Sequence, residues 1–372
     1  MNNKKSFIGF ISESKFIHII LSIILGFIVG AIFLLIMQIS VPSAYGKLAT
    51  TIFKDARSLS YCLVYATPYI IVGLSVAFSF RTGVFNIGAE GQYVVGSMAA
   101  CAVGIIFGNL PPIILIPFCI LASMIVGGIW GIIVGILKTK WGINEVLSMI
   151  MFNWIAFYFS NYIAEIPIIK STGSAEATKN ISDNARIMFS EAFKQKLGLC
   201  PTANWGIFLA IIITIIIYLI IEKTTLGYEL KAVGYNKNAA EYAGINVNKS
   251  ILLALAISGA LAGMGGALQL LGMSKRISVF TGQEGFGFAG IVVALIGMSN
   301  PLGVFLAGLF YGALKYGGRS LNLVGTPTQV VDIIVGTVVF FISISSIFSY
   351  IKYLEKHKEE KVSNNNSKGG KS

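Results

Sequence analysis

Long apolar runs, broken by short polar or glycine-rich stretches, set the plan of this chain. They fall at about residues 17–39, 60–80, 84–107, 113–137, 143–165, 205–221, 250–271, 286–298, 302–317 and 330–351. Crossing roughly 30 Å of hydrocarbon takes about 20 helical residues, so the pattern predicts about ten transmembrane helices. The run 286–298 is short, holds three glycines and stops at Asn300-Pro301. At about 1.5 Å per residue it reaches about 20 Å, which makes it a steep short helix or half of a broken one. Two GxxxG pairs, Gly259/Gly263 (with Gly266 a turn further) and Gly308/Gly312, predict closely crossed helices.

Composition agrees with the pattern. Of 372 residues, 55% are hydrophobic and 12% charged, against about 25% charged in a soluble domain. The expected class is an all-α integral membrane protein: a cytoplasmic segment 1–16, a transmembrane domain 17–351 and a polar, low-complexity tail 352–372 of disordered composition. A net charge of +12 points in such a chain to topology and anionic lipid, not to nucleic acid. With the N-terminus inside, 16 of the 28 basic residues flank the cytoplasmic side and 12 the other. Setting aside the long outer loop 167–204, which obeys the rule weakly, leaves 16 against 7. Both termini are therefore placed in the cytoplasm. The first apolar run is too long for a cleaved signal. Four cysteines without a CxxC spacing read as packing residues, and two isolated histidines leave no metal or catalytic cluster. The terminal GGKS lacks the first glycine of a phosphate loop, because Asn365 stands there.

Polar residues inside apolar segments carry the chemistry. If 84–107 is helical throughout, Asn86, Glu90, Tyr93 and Ser97 form one stripe, with Gln92 beside it. Asn153, Phe157, Ser160 and Asn161 share a face of the fifth segment, whose entry holds Asn144 and Glu145. Each stripe is either an interhelical hydrogen-bonded seam or the wall of a wet pathway. Residues 84–91 (VFNIGAEG) and 279–285 (VFTGQEG) are similar, the pattern an inverted repeat gives. Such a repeat would put Glu90 and Glu284 on opposite sides of the midplane, both facing a central cavity.

Residues 222–249 form the largest cytoplasmic loop. Thr225 is expected to cap a short helix through Val233 with Gly234 as its left-handed stop, and Asn236 or Asn238 a second helix ended by Gly244. Helices so brief are marginal alone in water. They imply a docked element.

Four stretches, FNIGAEGQ (85–92), INEVLSMIMFNWIA (143–156), LGYELKAVGYNKNAAEYAGINV (226–247) and FGFAGIVVALIGMSNPLGV (286–304), resemble the membrane permeases of binding-protein-dependent ABC importers, nearest the nucleoside group. That resemblance, over roughly 60–350, implies a subunit without catalytic residues, metal or cofactor in a bacterial cell membrane. It implies a second permease (identical or related), cytoplasmic ATP-binding subunits that use the ATP, and an extracytoplasmic binding lipoprotein. The translocation pathway would draw on Asn86, Glu90, Gln92, Tyr93, Ser97, Asn144, Asn153, Phe157 and Glu284. The ATPase-coupling loop would use Gly227, Leu230, Ala232, Gly234, Asn236, Ala239, Ala240, Gly244 and Ile245. A ribose- or galactose-type sugar permease is the nearest alternative. An ion-coupled carrier using Glu90, Glu284 and Asp332 is another, and it would need no docking loop.

Overall fold

The computed structural model describes residues 15–173 and 176–344, with side chains from residue 19 onward. Residues 1–14 of the N-terminal segment and the tail 352–372 lie outside them. Each of the ten apolar segments contains a helix, and among the described residues seven helices are long and apolar enough to cross a membrane. In chain order the helices are α1 (Lys15–Ile36), α2 (Val41–Phe53), α3 (Ala56–Phe80), α4 (Ala89–Ile106), α5 (Pro112–Trp141), α6 (Glu145–Ala164), α7 (Glu191–Lys196) and α8 (Gly206–Lys223). They continue as α9 (Thr225–Tyr235), α10 (Lys237–Tyr242), α11 (Val247–Gln269), α12 (Phe286–Ile296), α13 (Pro301–Gly318) and α14 (Gln329–Ile344). The seven span-length helices are α1, α3, α4, α5, α6, α8 and α11. The apolar pattern did not predict α2, whose sequence mixes polar and apolar positions.

Contacts divide the chain into two units, residues 1–44 with 325–372 and residues 45–324. In the smaller, α1 meets α14 at Gly26, where a Cβ would stand 2.4 Å from Val338 Cγ2. The larger unit holds everything that follows.

Within it the helices sort into an inner and an outer layer. Over an apolar 18-residue stretch of each, α3, α4 and α11 bury 72–83% of the residues inside the protein, whereas α5, α6 and α8 bury 28–33%. A helix apolar on every side is either a core helix or lipid-facing, and sequence alone does not separate the two. Close backbone approach ties the inner helices to their neighbours. A Cβ on Gly259 would come within 2.2 Å of the Gly127 carbonyl oxygen, and one on Gly263 within 2.3 Å of that of Ser123, both on α5. Likewise Gly308 and Gly312 of α13 lie on Ile70 and Ala66 of α3. Both glycine pairs are thus packing surfaces, as lipid offers no hydrophobic drive for helix association.

The long loop 167–204 is folded. Antiparallel bridges pair Lys170 with Thr178, Ala177 with Ser278 and Met188 with Asn204. The Cys200 amide donates to Ser60 Oγ at 2.8 Å, and Ser182 Oγ to the Gly108 carbonyl at 2.8 Å.

Candidate functional site

Residues 81–88 enter the bundle as a turn and an extended segment, and α4 begins only at Ala89. Asn86 therefore leaves the expected stripe. Its Nδ2 donates to Gln92 Oε1 at 2.8 Å and to Ser258 Oγ of α11 at 2.7 Å. Ser258 in turn donates to the Ser75 carbonyl on α3 at 2.7 Å, and Ser75 Oγ returns a bond to the Ser258 carbonyl at 2.6 Å. All four side chains are buried. Buried amides and hydroxyls are tolerable when each finds a partner, and here the partners join three inner helices.

Glu90 has a different duty. Its Oε1 accepts from the Gly285 amide and its Oε2 from the Gly287 amide, both at 2.6 Å. The first residue of α12 follows Gly285, which has φ +83° and supplies no side-chain cap. A carboxylate 195 residues away in sequence thus caps α12 and balances the positive end of its dipole. This corrects the repeat geometry. The two similar segments meet, and Glu90 reaches the backbone next to Glu284. At about 16 Å, α12 has the length of a half-helix, and its N-terminus lies against α4. Glu90, only 1% exposed, does not line the cavity described next.

That cavity, of about 230 Å³, is lined from α4 by Tyr93 and Ser97 and from α11 and its continuation by Gly266, Gln269, Leu270 and Ser274. The segment 276–284 closes it with Arg276, Ile277, Ser278, Phe280 and Glu284. The last turn, Leu270–Ser274, widens into a π-helical turn ended by Lys275 at φ +63°, a distortion frequent at functional sites. Tyr93 stacks on Phe286 with ring centroids 4.8 Å apart, and Phe286 on Tyr69 at 5.2 Å.

α6 positions both similar segments. Asn153 Oδ1 accepts from the Gly91 amide at 2.8 Å while its Nδ2 donates to the Ile87 carbonyl at 3.1 Å. Two turns on, Asn161 Oδ1 accepts from the Phe280 amide and its Nδ2 donates to the Phe280 carbonyl, each at 2.9 Å. The Phe157 ring lies 6.3 Å from that of Phe280. Asn144, by contrast, is exposed and caps α6 by accepting from Val146 and Leu147 amides at 2.9 and 3.2 Å. Of the expected pathway residues, only Tyr93, Ser97 and Glu284 line the cavity. Asn86, Glu90, Gln92 and Asn153 hold its supporting frame. Gln269, Arg276 and Phe280 were missed, because nothing local marks a residue that tertiary folding brings to a cavity.

The loop 222–249 folds as two helices, with corrected ends. Thr224, not Thr225, caps α9 by accepting from the Gly227 amide at 3.2 Å. The helix runs through Val233 to Tyr235, so Gly234 is no left-handed stop. Its missing side chain serves contact instead: a Cβ there would stand 2.1 Å from the Arg81 carbonyl oxygen. Gly227 is similarly confined, with its would-be Cβ 2.3 Å from the Ile220 carbonyl oxygen. Asn236 caps α10 by accepting from Ala239 at 3.0 Å, and Gly244, at φ +84°, ends it. Leu230 and Ala240 are buried within the chain and Ala232 and Ile245 partly so, whereas Asn236, Ala239 and Gly244 face outward. With them stand three tyrosines the sequence reading passed over, Tyr228, Tyr235 and Tyr242, 70%, 89% and 95% exposed.

Residues 58–343 match the family described as the permease component of branched-chain amino acid transport systems. The guanosine ABC transporter permease protein NupP of Bacillus subtilis is 38% identical over 89% of this chain and 94% of its own length. The nucleoside ABC transporter permease protein NupB of Lactococcus lactis is 32% identical over 100% of this chain and 99% of its own. The glucose ABC transporter permease protein TsgB13 of Haloferax volcanii is 30% identical over 88% and 87% respectively.

Proposed function

The chain belongs to the permease-component family of the branched-chain amino acid transport systems, and on that premise we propose that it is the membrane-spanning subunit of an ATP-driven nucleoside importer. The observation that carries the substrate class is identity: the guanosine and nucleoside relatives are 38% and 32% identical over 89% and 100% of the chain, above the glucose relative's 30% over 88%. The geometry supports the same reading. The cavity beside α12 has neutral hydrogen-bonding groups (Ser97, Gln269, Ser274, Ser278) and two aromatic rings, Tyr93 and Phe280. It lies where a broken helix ends, the place membrane carriers favour for their cargo.

In this proposal all ten apolar segments lie in the membrane with both termini cytoplasmic, and 167–204 faces the extracytoplasmic binding lipoprotein. α9 and α10 dock on the ATP-binding subunit through Ala239, Gly244 and the three exposed tyrosines, while Leu230 and Ala240 anchor the pair to this chain. Aromatic residues on an exposed face suit such an interface. The energy source is ATP hydrolysed in that partner, in a bacterial cell membrane. The second permease is a related, non-identical chain, because Bacillus subtilis and Lactococcus lactis each provide a second matching permease, 26% and 27% identical over 71% of this chain. The sugar reading is supported by two relatives, the glucose permease at 30% identity and the ribose import permease protein RbsC of Haemophilus influenzae at 27% identity over 62% of this chain.

The test is uptake by the complete complex in proteoliposomes. Concentrative uptake of labelled guanosine, with none of ribose or glucose, is the expected result. Sugar uptake without nucleoside uptake would replace the substrate class.

A further inference from the structure

Two carboxylates meet where the similar segments come together, and only one is occupied. Both oxygens of Glu90 are taken by the amides of Gly285 and Gly287. The Glu284 side chain is exposed, makes no hydrogen bond or ion pair among the described residues, and lines the 230 Å³ cavity. Arg276 lines the same cavity, yet the two do not pair. Their backbone is fixed from outside: Asn161 holds Phe280, and the Ile277 amide donates to Thr178 Oγ1 at 3.0 Å.

We propose that Glu284 is a substrate-binding residue that accepts a pair of adjacent hydrogen-bond donors from a neutral, flat-ringed ligand. An ionised carboxylate only accepts, and its two oxygens match two neighbouring donors. A nucleoside offers such pairs in two places, the cis-diol of its ribose and the adjacent N–H groups of a guanine-type base. Tyr93 and Phe280 give the flat ring aromatic surface. This assignment rests on the nucleoside reading and adds the residue that recognises the substrate.

The experiment measures equilibrium binding of labelled guanosine to the assembled importer in nanodiscs without the binding protein, and in parallel uptake by the complete complex, binding protein included, in proteoliposomes. Wild type is compared with Glu284→Gln and Glu284→Asp, using 2′,3′-dideoxyguanosine and purine riboside as competitors. Glu284→Gln is expected to weaken guanosine binding on the order of 10-fold or more, and Glu284→Asp to restore part of it. The competitor lacking the contacted donors should bind wild type correspondingly weakly and lose nothing further in Glu284→Gln. Loss of that kind with dideoxyguanosine assigns the diol, and with purine riboside the base. Equal affinity of wild type and Glu284→Gln, or no binding by wild type while uptake proceeds, overturns the role of Glu284 and leaves the importer reading standing. Absence of nucleoside uptake overturns both.

Discussion

Glu90 shows how an ionisable residue is kept deep in an apolar protein. Each oxygen meets a backbone amide that has no other acceptor, so one side chain satisfies two donors at a helix start. Replacing it with glutamine keeps one acceptor and points an NH₂ group at the other amide. Glu90→Gln is expected to cost about 1–3 kcal/mol, read as a lower thermal midpoint of the detergent-solubilised protein. An unchanged midpoint would mean that the cap at α12 is not needed for stability. Asp55 is a simpler cap, outside the membrane segments. The Ser58 amide donates to it at 2.7 Å and holds its carboxyl below the usual range. A depressed acid contributes above its unfolded value and loses that contribution as pH falls through its folded one. Acidification should therefore lower the exchange protection of the Ser58 amide, and Asp55→Asn should flatten that dependence.

Among the elements, α12 and the α9–α10 pair are the two whose sequence signals most need tertiary structure to interpret. α12 was legible as too short, and the glycines and Asn300-Pro301 gave its far end. Its near end was not, because its cap arrives from another helix. For α9–α10 the existence of two helices and the Gly244 boundary were legible from capping chemistry, which narrowed the second cap to Asn236 or Asn238. Gly234 was misread because a glycine near a helix end usually serves conformation, whereas here it serves close contact with the Arg81 turn. Gly234→Val should therefore separate α9 from that turn and abolish uptake, with the chain still inserted in the membrane. Ala239→Asp, on the outward face, should leave folding intact and stop ATP-driven uptake by weakening attachment of the ATP-binding subunit, measured by co-purification. Retained uptake in both variants would remove the docking role.

At the scale of the whole molecule, the proposal requires that the energy for transport come from outside this chain. Purified alone in liposomes and given only a proton or sodium gradient, the protein should accumulate no nucleoside. Accumulation under those conditions would favour the ion-coupled alternative. In the complete complex, uptake should survive collapse of both gradients and stop on ATP depletion.

The sequence by itself determined that this is a helical membrane protein, where its apolar segments lie, which glycines permit close crossings and that short helices sit in the loop 222–249. Those properties follow from hydrophobic length, helix geometry and capping, which act over a few turns of chain. Tertiary structure alone decided which apolar helices are buried within the chain and which lie on its outside, because both kinds carry the same composition. It also decided that Asn86, Gln92 and Asn153 belong to the frame, that Glu90 caps a distant helix, and that Glu284 opens with Arg276 and Phe280 into one cavity. A buried polar side chain takes the partner that folding brings within hydrogen-bond reach, and that partner leaves no trace in the neighbouring residues.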